Sequence, residues 1–363
     1  VNFHMQLDVC CVPMSERICI TGEDDWATYG KDFARSFASD IPLGDAQGSM
    51  TKVWQYTATQ VMVYATPVIY QDTVFAYFLD NLVAVDINTG AELWKRTLDG
   101  FEIGGGCWST PTVYNFADFG ADITLLFVPG GDAKGFTAID ISDGSTVWTR
   151  NFMVHSNHFM TFSPSVIIDC GGVPVIVYSD DNGDIYAAEA LTGNAYSGWT
   201  TNPINVGGNV FEGLTSAGVN IYVGRDRTIT NGNIAAYDGC TGAYIWDLAS
   251  SGGLQLDNLD LENPGTEAFN GGMAFEVYND VPTLYAASFY DVDNVPPYQG
   301  GGVMYSVDCS DGALNWATLC SEGDYGGVAI DAGQVIHVGW TPWVPGYGER
   351  RGPIGFNKES GAY

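Results

Sequence analysis

The chain has 363 residues, 46% of them hydrophobic and 15% charged, with 13 basic against 43 acidic residues and a formal net charge of −30. That apolar content supports a sizeable buried core and excludes a disordered chain, while the charge argues strongly against binding phosphate backbones or anionic bilayers. No run of roughly 18 apolar residues exists to form a transmembrane segment.

With 46 glycines, 15 prolines and many short runs of Val, Ile, Thr, Tyr and Trp, the chain is predicted to be all-β with frequent turns. Residues 1–50 read as an N-terminal extension that holds Cys10, Cys11 and Cys19 and the segment "DWATYGKDFARS", Asp25 to Ser36. An isolated tryptophan strand comes next, "TKVWQYTA" from Thr51 to Ala58, with no partner strands ahead of it. The first complete unit follows, with strands a (Ala65–Tyr70), b (Thr73–Phe78), c (Leu82–Ile87) and d (Ala91–Arg96).

Strands c and d carry a phrase that recurs down the chain. Its copies are "AVDINTGAELW" ending at Trp94, "AIDISDGSTVW" at Trp148, "AAEALTGNAYSGW" at Trp199, "AAYDGCTGAYIW" at Trp246 and "YSVDCSDGALNW" at Trp316. The tryptophans stand 47 to 70 residues apart, the length of a four-stranded sheet with its connections. A tight c to d turn needs positive φ, which the glycine supplies. Tryptophan on strand d gives an apolar plate to wedge between neighbouring sheets, which predicts a β-propeller. The units are expected at about 61–97, 107–151, 159–202, 210–249, 270–319 and 325–363 within one propeller spanning 51–363. The last unit stops at "IGFNKESGAY" without an outer strand, so the strand around Trp54 is expected to take that place and close a ring of six, with room for a seventh unit.

This phrase resembles the PQQ-type β-propeller repeat of quinoprotein dehydrogenases, polyvinyl-alcohol dehydrogenase-like proteins and the outer-membrane assembly lipoprotein propeller. The Asp25–Ser36 segment, and "GGMAFEVYNDVPTLYAAS" from Gly271 to Ser288, are most similar to the polyvinyl-alcohol dehydrogenase-like group. The resemblance implies that b to c and d to a connections share one face, where the enzymes hold their cofactor.

On that face the longest b to c loops are expected at 289–302 and 340–353. PQQ carries carboxylates that call for cationic donors and stacking surfaces, so Arg225, Arg227, Arg350, Arg351, Trp340 and Trp343 are its candidate ligands. The same residues suit a protein contact equally well. Asp180, Asn182 and Asp184 alternate as at the start of a Ca²⁺ loop, although Asp-Asn-Gly is also ordinary turn chemistry. His155 and His158, on the d to a connection before unit three, read as surface residues rather than metal ligands. The acidic insertion Leu254–Glu267 reads as a solvated loop.

Several enzyme signatures are missing. The adjacent pair Cys10-Cys11 lies too early to match the cofactor-side cysteines of quinoprotein alcohol dehydrogenases, Ala274 and Phe275 replace the polar residue and Trp of the polyvinyl-alcohol group, and there is no CxxCH or GxSxG. Eight cysteines without CxxC or zinc spacing read as an even set of disulfides, and with the start on Val1 they suggest a processed, extracytoplasmic chain. The favoured expectation is a non-catalytic scaffold or binding subunit, with no cofactor beyond a Ca²⁺ ion. The alternatives are a PQQ- and calcium-dependent alcohol dehydrogenase, the one enzyme reading, and a glycan-binding or surface-layer propeller.

Overall fold

The structure, a computed structural model, describes residues 54–58, 65–78, 81–98, 110–131, 135–150, 164–180, 182–208, 210, 214–225, 234–248, 272–288, 302–320, 327–331, 333–344 and 348–362. The N-terminal extension, His155, His158, Arg227, Tyr363, the 254–267 insertion and nearly all of the 289–302 loop lie outside these residues.

Twenty-three described strands form six antiparallel sheets in chain order, five of four strands and a last one of three. Sheet one holds β1 (Val68–Tyr70), β2 (Thr73–Phe78), β3 (Asn81–Asp86) and β4 (Glu92–Thr97). Sheet two holds β5 (Thr112–Asn115), β6 (Thr124–Gly131), β7 (Gly135–Asp140) and β8 (Thr146–Arg150), and sheet three β9 (Val166–Asp169), β10 (Pro174–Ser179), β11 (Asp184–Glu189) and β12 (Ile204–Asn205). Sheet four comprises β13 (Leu214–Ala217), β14 (Asn220–Gly224), β15 (Ile234–Asp238) and β16 (Tyr244–Asp247). Sheet five comprises β17 (Ala274–Tyr278), β18 (Val281–Ala287), β19 (Gly302–Asp308) and β20 (Leu314–Cys320), and sheet six β21 (Val328–Ile330), β22 (Gln334–Val344) and β23 (Gly348–Asn357).

Each sheet is a meander, the arrangement that short turns between consecutive antiparallel strands enforce. The middle strands are buried on both faces, as β10 is throughout, so they read as continuous apolar runs instead of alternating ones. The outer strands β4 and β8 keep one face in water and read as mixed sequence.

The recurring phrase links one sheet to the next. In the c to d turns of sheets one, two and five the acidic residue accepts hydrogen bonds from its own turn: Asp86 from the Asn88 and Thr89 amides and the Thr89 hydroxyl, Asp140 from Ser142, Asp308 from Ser310, and in sheet six Asn357 takes this role. The carbonyl of the following residue accepts the indole N–H of the preceding sheet's tryptophan. Trp94 donates to Ile141 at 2.8 Å, Trp148 to Ala190 at 2.9 Å, Trp199 to Gly239 at 2.8 Å, Trp246 to Cys309 at 2.9 Å and Trp316 to Lys358 at 2.7 Å. The indole ring lies over the turn glycine; at Gly193 (φ +71°) a Cβ would stand 2.6 Å from Trp148. Glycine is therefore required twice, for its dihedral and for the contact.

Trp54 follows the same rule. It donates to the Ile87 carbonyl at 2.6 Å and lies over Gly90, docking on sheet one as each outer-strand tryptophan docks on its successor. Sheet six, with three described strands, is the one short of an outer strand. Trp54 thus occupies the position of a tryptophan belonging to the sheet before the first, and Tyr363, the residue expected beside it, is not among those described.

Three expectations change. The two extra residues ahead of Trp199 remove it from the outer strand: β12 lies further on, and the Asn202 side chain pairs with the Ala187 backbone in place of a strand residue. Residues 340–353 are largely not a loop, since β22 and β23 continue as a long hairpin that leaves only 345–347 between them. The cysteines are not a fully paired set: Cys170 bridges Cys240, but Cys309 is free and buried.

Candidate functional site

The b to c connections of all six sheets emerge on one side of the sheets, opposite the c to d turns, as the meander dictates. Asp180, Asn182 and Asp184 sit there at the β10–β11 turn. Asp180 Oδ1 accepts the amides of Asn182 and Asp184, each at 3.0 Å, and Oδ2 accepts the Tyr186 hydroxyl at 3.0 Å. The Asp184 carboxylate accepts the Asn205 amide at 2.7 Å. Gly183 holds φ +80°, and a Cβ there would lie 2.0 Å from the Gly208 carbonyl oxygen, so the turn is locked against the connection to sheet four.

Burial raises the Asp180 carboxyl above its ordinary range, against the lowering effect of its hydrogen bonds to the Asp184 amide and the Tyr186 hydroxyl. Burial, then the Asp180 charge, raises the Tyr186 phenol in turn. A Ca²⁺ ion takes six to eight oxygens, and this carboxylate's oxygens already serve its own turn. Among the described residues no three acidic, His or Cys side chains group as metal ligands. The hydrogen bonds that the Asp180 carboxylate accepts thus give it a structural role within its own turn.

Arg225 follows β14 on the same side. Its Nη1 donates to the Val206 carbonyl at 2.9 Å, its Nη2 lies 3.8 Å from Asp247, and the side chain is 15% exposed. Its guanidinium ties the end of sheet three to the outer strand of sheet four. Two of its nitrogens therefore face groups within the protein, while its buried Nε has no hydrogen-bond partner among the described residues. Of the other candidates, Trp340 pairs across the hairpin with Arg351, and Thr341 with Arg350, while a register shift follows at Thr341/Val344 next to Trp343. The backbone thus brings Trp340 and Arg351 together at one level of the β22–β23 hairpin.

Some polar clusters had no signature in the sequence. Lys358, only 4% exposed, occupies the turn position filled elsewhere by Ile87, Ile141, Ala190, Gly239 and Cys309, and its Nζ lies 2.8 Å from Glu276 of β17. It also sits 5.4 Å from the centre of the Tyr278 ring. Arg96 and Arg150, two residues after their tryptophans, donate to the turn carbonyls of Gly144 at 3.0 Å and Gly193 at 2.6 Å. The Trp-x-Arg spacing was the only available signal for those two; nothing local marks the Lys358 pair.

No protein-family profile matches the chain, and no curated protein resembles it in sequence. Solved structures do. BamB from Moraxella catarrhalis shares 14% identity over 75% of this chain and 68% of its own, with a TM-score of 0.47. The quinohemoprotein alcohol dehydrogenase from Comamonas testosteroni shares 14% identity over 98% of this chain and 74% of its own, with a TM-score of 0.54. A europium-containing methanol dehydrogenase shares 11% identity over 93% and 73%, with a TM-score of 0.59. At such identities the likeness establishes the fold, a PQQ-type β-propeller.

Proposed function

We propose that this chain is a non-catalytic propeller that serves as a scaffold or binding subunit in an extracytoplasmic assembly, contacting a protein partner through the segments 289–302 and 340–353. The observation that supports this reading is the engagement of Arg225 by Val206 and Asp247, which commits part of a candidate PQQ-binding guanidinium to the protein's own framework. The hydrogen bonds that Asp180 accepts from its own turn give that residue a structural role that needs no metal. The Cys170–Cys240 bridge supports an oxidising compartment.

The test is titration of the purified protein with PQQ and Ca²⁺, followed by quinone absorption, alongside dye-linked oxidation of a panel of alcohols. The reading expects no saturable quinone binding and no oxidation. A quinone band that copurifies with the protein, or turnover after reconstitution, overturns it in favour of a PQQ-dependent alcohol dehydrogenase. That second reading draws its support from the two dehydrogenase structures, each similar over more than nine-tenths of this chain.

A further inference from the structure

We propose that the Cys170–Cys240 bridge is a reducible clamp on the boundary between sheets three and four: a dithiol reductant that opens it frees the turn that holds the Trp199 indole, and reoxidation closes the boundary again. The bridge joins the β9–β10 turn of sheet three to the β15–β16 turn of sheet four, and both cysteines are partly exposed.

Two contacts that hold the other boundaries are missing at this one. Trp94, Trp148, Trp246 and Trp316 are carried by outer-strand ladders, opposite Ala84, Ala138, Ala236 and Ser306. Trp199 lies on no strand, because β12 comes after it and pairs only through Ile204 and Asn205. Its indole therefore depends on the receiving turn, where it donates to the Gly239 carbonyl at 2.8 Å. That turn also lacks the side chain that elsewhere reaches back to the preceding sheet. Ile141 packs on the core of sheets one and two, Cys309 packs with Tyr222 of sheet four, and Lys358 meets Glu276 of sheet five. Gly239 makes no such contact, and a Cβ there would stand 2.2 Å from the Ile168 side chain and 2.8 Å from the Val219 carbonyl oxygen.

The disulfide supplies the missing link one residue later, since Cys240 is bonded to Cys170 of the preceding sheet. A covalent bond thus stands where packing stands at the other copies, and a thiol reagent can undo the one and not the other. Access decides whether it does, and partly exposed sulfurs are open to attack. One thiolate of the reductant attacks a Sγ and the S–S bond breaks, giving a mixed disulfide; the reductant's second thiol then displaces the cysteine. The chain gains two electrons and two protons as two thiols, and the reductant leaves as a cyclic disulfide. At the other end of the same boundary Arg225 still donates to the Val206 carbonyl, so the opening is confined to the turn end.

The experiment treats the folded, full chain with dithiothreitol, labels new thiols with iodoacetamide for peptide mass mapping, and follows amide hydrogen exchange before reduction, after it and after reoxidation. Cys170 and Cys240 are expected to become labelled together while the protein stays folded. Exchange in the 239–243 turn and at 197–201 is expected to rise by about tenfold or more and to return on reoxidation, with the turns at 87–91 and 309–313 unchanged. Cys170→Ser/Cys240→Ser should show the fast exchange with and without reductant. The change in tryptophan emission on reduction should disappear in Trp199→Phe. A bridge that is labelled only after global unfolding overturns the proposal, and so does a rise in exchange that spreads over all the turns or is absent from 239–243. Reoxidation that pairs Cys170 or Cys240 with another of the eight cysteines also overturns it. None of these outcomes depends on the quinone titration.

Discussion

Replacing Lys358 with methionine tests whether the sheet five to sheet six interface rests on the Lys358–Glu276 pair. Lys358 is 4% exposed, and both Glu276 carboxylate oxygens lie 2.8 Å from its ammonium. Removing one member of a buried ion pair costs about 3–5 kcal/mol because the other charge is left uncompensated. The Glu276 side chain is 21% exposed and so retains some water, which brings Lys358→Met below that range, to about 2–3 kcal/mol. The apolar residues that fill this turn position in sheets one to three accommodate a methionine in shape, so Lys358→Met/Glu276→Gln is expected to recover most of the loss. Urea unfolding followed at the Trp316 indole, which hydrogen-bonds the Lys358 carbonyl, reads this interface directly. Hydrogen exchange in β17 and β21 separates it from the rest of a large chain that need not unfold in one step. A Lys358→Met protein as stable as the wild type, or a double variant less stable than the single one, would refute the reasoning.

Other substitutions probe the remaining contacts. Replacing Cys170 and Cys240 by serine opens a bridge spanning 70 residues, for which the loop-closure estimate is about 4 kcal/mol; thermal melts with and without reductant should show the wild type falling to the variant's midpoint. Gly183→Ala places a methyl against the Gly208 carbonyl at a positive φ and is expected to cost about 2 kcal/mol or more, seen as a lowered urea midpoint. Trp54→Ala should cost about 3 kcal/mol and raise hydrogen exchange in sheet one above that in sheet four. Asp180 has a folded pKa raised by burial, so its contribution is fully present below the ordinary carboxyl range and is lost as pH rises through the raised value. The stability advantage of wild type over Asp180→Asn should accordingly shrink as pH rises from below the ordinary carboxyl range.

The repeat made the fold legible because each copy of the phrase fills the same three roles in a turn: an acid that caps it, a carbonyl that receives an indole, and a glycine beneath the ring. Residue type and spacing encode all three. The candidate site was far less legible. Arg225 looked like a free cation since its partners Val206 and Asp247 come from other strands, and a charge is visible in sequence where its neutralisation is not. Asp180 invited a metal reading by spacing alone, yet the amides that occupy it belong to its own turn. Lys358 and Glu276 are 82 residues apart and meet only because two sheets pack. At Trp199 the phrase preserved the indole contact but not the strand, for the hydrogen bond depends on where the ring arrives and not on how the backbone reaches it.

Each tryptophan is borne by one sheet and received by the next, so the contacts run in a single direction round the molecule. The segment from one tryptophan to the residue before the next therefore carries one complete donor and one complete acceptor, although it straddles two sheets. Duplicating or deleting such a segment leaves every remaining indole with a turn to meet. Cutting at the boundary of a sheet would conserve the strands while giving the same match, but only the tryptophan-to-tryptophan segment keeps each indole covalently next to the sheet it stabilises. Gene rearrangement that changes the number of sheets has in this chain a natural exchange point at the tryptophan, where the indole-to-carbonyl contact is the same at every copy.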